Sequence, residues 1–161
     1  MGYIIKLMSE LTSQSLIEQY LSEARIMQLA TVCNSQPWIC SLHFAADNES
    51  NIYWISKSTG HHSEEIAANP SVAVAIAVKT DRPLIGIQAE GIAEIVQDTD
   101  LLKSAMERYI ERHGTDRSFA DQIIAGTNEH KLYKFTPKSF SLFDEVNFAH
   151  QPPVEWVPDH K

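Results

Sequence analysis

SKSTGHHSEEIAANPSVAVAI, residues 56–76, decides the fold of this chain. It reads as the end of a strand, a small polar turn, a helix over roughly residues 62–68 and a strand over 71–78. Asn69-Pro70 stops the helix, because proline cannot continue one and restricts the residue before it. The run SVAVAIAV is apolar on both faces, which predicts a central strand covered on both sides.

The turn poses the functional question. A helix N-terminus has free N–H groups and the positive end of the macrodipole, so it attracts an anion. Ser56, Ser58 and Thr59 add hydroxyls and Lys57 adds a charge. Yet His61 and His62 stand where a phosphate site usually has Arg or Lys. Glu64 and Glu65 fit a plain helix cap as well, since acids in a first turn satisfy the dipole. Both readings follow from the residues.

Upstream, residues 13–25 predict an amphipathic helix. Leu16, Ile17, Tyr20, Leu21 and Ala24 form its apolar stripe, with Thr12 or Ser13 as cap. At residue 26 the period changes from 3.6 to 2. IMQLATVC (26–33), PWICSLHFAA (37–46) and IYWIS (52–56) predict three strands joined by short polar turns, an antiparallel meander. Downstream, LIGIQAEGIAEIV (84–96) predicts a long strand in which Gly86 and Gly91 mark a bulge or a close approach. Residues 98–113 predict a helix ended by Gly114, and 116–125 a shorter one closed by Gly126. HKLYKFTP (130–137) and SFSLFD (139–144) return to strand. The tail, 147–161, is proline-rich, but its Trp156 calls for a packing partner. Six or seven short strands, mostly antiparallel, with helices at the edges predict one mainly β domain over 1–161, a closed or nearly closed barrel.

Composition narrows the function. A net charge of −8 argues against nucleic acid or an anionic membrane as partner, since both need a dense positive face. Cys33 and Cys40 form no CxxC pair and read as buried free thiols. Residues 1–13 match neither a secretory leader nor a spanning helix, and Lys6 breaks the myristoylation pattern, so a cytoplasmic location is expected.

No nucleophile elbow, Walker loop or zincin motif is present. The seven histidines show no ligand spacing with Cys, Asp or Glu, so no metal site is expected. Ser41 and His43 share one face of their strand, Cys40, Leu42 and Phe44 the other. Gln88 is a polar amide in mid-strand and needs a partner: backbone, water or a ligand edge.

Four segments together resemble the pyridoxamine 5′-phosphate oxidase-like family of flavin-binding split barrels. They are RIMQLATV with QPWICSLHFAAD and NIYWIS; STGHHSEEIAANPSVAVAI; IGIQAEGIAEIV; and LYKFTPKSFSLFD with Trp156. They cover roughly residues 25–96 and 131–157. The helical stretch 98–126 adds little. The resemblance implies a six-stranded antiparallel split β-barrel that works as a homodimer, with FMN across the interface. It implies flavin-ring contacts near Cys40, Ser41, Leu42 and His43. Ribityl and phosphate contacts fall near Ile55, Ser56, Lys57, His61 and His62, and a polar contact at Gln88 or the backbone of Gly86. Trp156 joins that set from the tail. The departure is His61-His62, which predicts weaker FMN binding that tightens as pH falls. The tail lacks Arg after Arg117, so pyridoxamine-phosphate oxidation itself is not expected.

Three functions follow. The first is an FMN-dependent oxidoreductase acting on a small planar compound. The second is a non-catalytic module for flavin or haem, and the third an interaction protein with a degenerate phosphate site.

Overall fold

The computed structural model describes residues 12–159. The reading of residues 1–11, and His160, lie outside the described residues.

The chain opens with α1 (Ser13–Glu23), where Thr12 and Ser15 form a reciprocal capping box. Leu16, Ile17, Tyr20 and Leu21 bury its apolar stripe. It ends two residues before the predicted boundary, because Ala24 is extended and its N–H closes the last turn on Tyr20. Next come β1 (Ile26–Cys33), β2 (Gln36–His43) and β3 (Ala45–Ala46). Asn34 and Ser35 both take positive φ in the β1–β2 turn, the conformation a two-residue hairpin loop requires. The predicted strand 37–46 is interrupted at Phe44, whose N–H makes the last bond of the β1–β2 register, to the carbonyl of Arg25.

Then follow β4 (Ile52–Lys57), α2 (His61–Ala68), β5 (Ser71–Lys79) and β6 (Ile85–Ile95). The helices α3 (Thr99–His113) and α4 (Arg117–Ile124) lead to β7 (His130–Asp144) and β8 (Val154–Trp156). Asp98 and Asp116 cap the two helices at their N-termini, and Gly114 ends α3 in the left-handed conformation. The two strands predicted over 130–144 are one. Pro137 pairs with Gly91 next to the bulge at which the β6–β7 register passes over Lys138, the kind of irregular strand position that tolerates proline.

The sheet runs β2-β1-β5-β6-β7-β4-β3, with β8 beside β7. All pairings are antiparallel. Its two ends, β2 and β3, are separated by Phe44 alone, so the sheet curls until the chain joins them. This is the split barrel the resemblance implies. Eight strands replace the expected six, because one wall bends into β2 and β3 and the tail adds β8. Trp54, Phe135, Phe140 and Phe44 fill the interior. A second cluster, including Tyr53, Met106, Ile123 and Leu132, lies under α3 and α4. Trp156 stacks on Phe140 with ring centres 5.3 Å apart, which settles what the tail packs on within the chain.

One expectation is corrected. β5 is covered on one face only. Val72, Val74 and Ile76 turn inward, whereas Ala73 and Ala77 are exposed and Ala75 half-buried. The outward side chains are apolar but small, and no element among the described residues covers them.

Asp144 is the buried polar hub. It accepts from the Tyr20 hydroxyl at 2.7 Å, the Asn147 amide at 2.8 Å, and the backbone N–H groups of Val146 and Asn147. It thereby ties α1 and the tail to the end of β7. No described helix is long and apolar enough to cross a membrane.

Candidate functional site

β2 has two sides. Cys40 and Leu42 pack against the core, while Ile39, Ser41 and His43 point outward. Register carries Ser41 across the sheet. Ser41 faces Gln28, Gln28 faces Ala75, Ala75 faces Gln88, Gln88 faces Ser141 and Ser141 faces Glu155. A polar row thus crosses six strands on the outward face, with Ala75 as its flat centre. The next row is Ile39, Ala30, Ala73, Glu90 and Ser139. A depression of about 520 Å³ lies over these rows. Gln88, expected from the sequence, lies in it. Gln28 and Ser141 join it unforeseen; their alternation was visible, but their meeting depends on register.

His43 ends the outward face of β2. Its ring meets that of His113 edge-on at 5.2 Å, and Tyr109 lies 4.6 Å from His113. His113 Nε2 lies 2.7 Å from the Phe44 carbonyl, which can only accept, so Nε2 carries the proton. Burial pushes the His113 imidazole below its ordinary pKa, with His43 and two arginines adding to that.

The turn forms a second neighbourhood. Strand alternation puts Ile55 and Lys57 on one side of β4 and Ser56 on the other. Ile55 packs on the helical cluster. The Lys57 ammonium lies 2.6 Å from Glu129. Ser56 is buried, and its hydroxyl lies 2.8 Å from His62 Nε2. Burial, and then His61, push His62 below its ordinary value, so it is the neutral partner of a hydroxyl. The protonated stand-in for a basic residue is not what this histidine supplies at neutral pH.

His61 lies against the Trp38 ring at 4.4 Å, with Nε2 3.0 Å from Glu65. Glu65 is buried, and its other oxygen accepts from the Thr31 hydroxyl. Burial, with the Glu65 charge added, pushes the Cys40 thiol up, so it stays protonated. Trp38, Cys40, His61, Glu65 and Thr31 therefore share the cleft between the hairpin and α2. Glu65 was read only as a dipole-satisfying acid; its reach to β1 has no local signal in sequence. Among the described residues no three His, Cys, Asp or Glu side chains gather as a metal site.

The first turn of α2 is open to an acceptor. Gly60 makes no side-chain cap bond, and the N–H groups of His61, His62 and Ser63 have no acceptor among the described residues. The Ser63 hydroxyl is buried without a partner. These donors fit the oxygen atoms of a cofactor side chain. The charges do not fit a phosphate: Lys57 leaves β4 on the side away from Ser56, and Glu64 and Glu65 occupy the helix itself.

The two depressed histidines make stability pH-dependent. Each binds a proton more weakly folded than unfolded, so stability is full above the ordinary histidine pKa and falls as acid protonates the unfolded chain first. Urea midpoints should therefore fall between pH 7.5 and 5.5, and His113→Gln should flatten that slope. An unchanged slope would assign the dependence elsewhere.

The family model for pyridoxamine 5′-phosphate oxidase matches residues 14–142. No curated protein matches the chain. Among solved structures, a conserved hypothetical protein from Mycobacterium tuberculosis superposes with a TM-score of 0.71 at 19% identity, over 88% of this chain and 91% of that one. A heme binding protein from Mycobacterium smegmatis gives 0.71 at 12% identity, over 91% of this chain and 60% of the other. A FAD-binding protein from Mesorhizobium loti gives 0.60 at 18% identity, over 82% and 94%. At these identities the structures share the fold. The family match spans most of the chain, from α1 to β7, and the chain belongs to the pyridoxamine 5′-phosphate oxidase family.

Proposed function

We propose that the chain is a flavin-binding protein that works as a homodimer, with the flavin ring on the outward polar row and a second copy covering it. The observation that carries this is the row itself. Ser41, Gln28, Gln88 and Ser141 offer hydrogen-bonding groups on an uncovered face whose centre is Ala75. A flat ring needs small residues beneath it and polar groups at its edge. Ile26, Ile39 and Phe143 frame the row and are exposed in the single chain, Ile39 by 62%. An apolar rim of this kind marks an interaction surface.

FMN is the flavin that the resemblance names, and it is the resemblance that puts the flavin side chain at the first turn of α2, whose open N–H groups could receive it. A bound flavin supplies electron transfer to and from a small planar compound. This chain's residues bind and orient the ring and exclude water from it. Family membership and the FAD-binding relative support the flavin reading.

The first experiment is the visible spectrum of purified protein before and after incubation with FMN, together with its mass by sedimentation. A retained flavin spectrum on a dimer is expected; a colourless protein that takes up no flavin overturns the reading. Ala75→Arg should lower dimer and flavin affinity at least tenfold, because it buries an unpaired charge in the interface. The fold should persist, since the side chain faces outward. Undiminished flavin binding in that variant would move the site elsewhere.

A haem reading has one observation in its favour. His43 is exposed on the outward face, and its ring nitrogens bond to no described residue. A Soret band lost in His43→Ala would establish it in place of flavin.

A further inference from the structure

We propose that this site takes an unphosphorylated flavin, a ring bearing a polyhydroxy chain, as readily as FMN, because its phosphate end has been rebuilt around carboxylates. The inference rests on the flavin reading above.

The argument is a count of charges at the α2 turn. Lys57 is the cation nearest in sequence, but it projects from the opposite side of β4 to Ser56, where its exposed ammonium meets Glu129 at 2.6 Å. His61 is paired with Glu65 at 3.0 Å. His62 is committed to Ser56. Glu65 is buried and held by Thr31, so it cannot swing into solvent to make way for an anion. Glu64 follows in the same first turn. A phosphate placed here would carry nearly two negative charges against these carboxylates. Lys134 lines the depression beside Ser58 and Ser63, but Glu94 and Asp98 line it too, so what remains is a set of donors and acceptors without net positive charge. The N–H groups of His61, His62 and Ser63 can donate to hydroxyl oxygens. Glu65 can accept from a hydroxyl, and a bond from O–H to a carboxylate is charge-assisted. That pattern suits the alcohols of a ribityl chain better than a phosphate.

The test compares riboflavin with FMN by quenching of flavin fluorescence at pH 7.5 and 0.15 M salt. The two dissociation constants should agree within about threefold, whereas one added charge-assisted bond to phosphate corresponds to tenfold or more. Glu65→Gln should tighten FMN about tenfold relative to riboflavin, since the amide keeps the bond from Thr31 and removes the charge. His61→Arg, at an exposed ring, should shift the same ratio in the same direction and serves if the buried variant is unstable. Glu129→Gln should leave the ratio unchanged. FMN binding tenfold or more tighter than riboflavin to the unaltered protein would overturn the inference while leaving the flavin reading intact. Quenching of neither flavin would overturn both.

Discussion

Gly91→Ala should destabilise the protein by about 3 kcal/mol or more, an overpacking penalty at the top of its usual range. A Cβ built on Gly91 falls 2.2 Å from the Thr136 carbonyl oxygen and 2.7 Å from the Phe135 ring. The carbonyl belongs to backbone, so no side-chain rotation relieves the contact. Nor can β7 retreat freely, because it is paired on its other side with β4. The bulge between Glu90 and Gly91 is what brings the two backbones so close. Gly86→Ala is the control on the same strand. Its Cβ would meet only the Ile76 carbonyl, at an ordinary 3.8 Å. Urea midpoints should separate the two variants widely. A Gly91→Ala midpoint near that of Gly86→Ala would mean that the sheet relaxes around the new methyl.

Asp144→Ala carries the second large effect, about 3 kcal/mol, as expected when a buried charged acceptor of several bonds is removed. The loss arises less from the absent carboxylate than from the donors it abandons: the Tyr20 hydroxyl, the Asn147 amide and two backbone N–H groups. Tyr20 is buried on α1, so the variant should also loosen that helix, visible as faster hydrogen exchange over residues 16–21. Burial pushes the Asp144 carboxyl up, but the bonds from Asn147, Tyr20 and Val146 outweigh it and leave it below the ordinary range. A carboxyl depressed in this way stabilises the fold above its unfolded pKa and loses that contribution as pH falls through its folded value. Acid unfolding should therefore steepen below about pH 4 in the native protein and less so in Asp144→Asn. Equal acid slopes would remove Asp144 from this role.

How far the sequence speaks depends on the range of the interaction. The switch from period 3.6 to 2 at residue 26 is local, and β1 begins there. Gly114 as the stop of α3 is local too. Strand alternation correctly separates Ser41 and His43 from Cys40 and Leu42. It cannot say what lies across the ladder, so the row from Ser41 through Gln28 and Gln88 to Ser141 appears only with the register. Lys57 shows the same limit. Its alternation from Ser56 is readable, but its engagement with Glu129 comes from a loop far along the chain. β5 misleads for a different reason. Alternating Val and Ala are all apolar, so composition alone predicts cover on both faces, although the described residues supply it on one. At the turn that raised the question, Glu65 reaches a neighbour on β1 that no spacing rule would find.

β7 also governs how this molecule is made. It lies between β6 and β4, strands that precede it in the chain, and it carries the pairings of both. During synthesis at ~5–20 residues per second, β4 waits roughly 4–17 s for its partner to appear. Through that interval β4 presents an unsatisfied edge to the cell, joined by β6 once residues 85–95 have been made. Nascent chains stalled before residue 130 should therefore engage chaperones and aggregate, whereas those released after residue 144 should not. The ribosome, rather than the denatured state in a test tube, is where this fold is most exposed to failure.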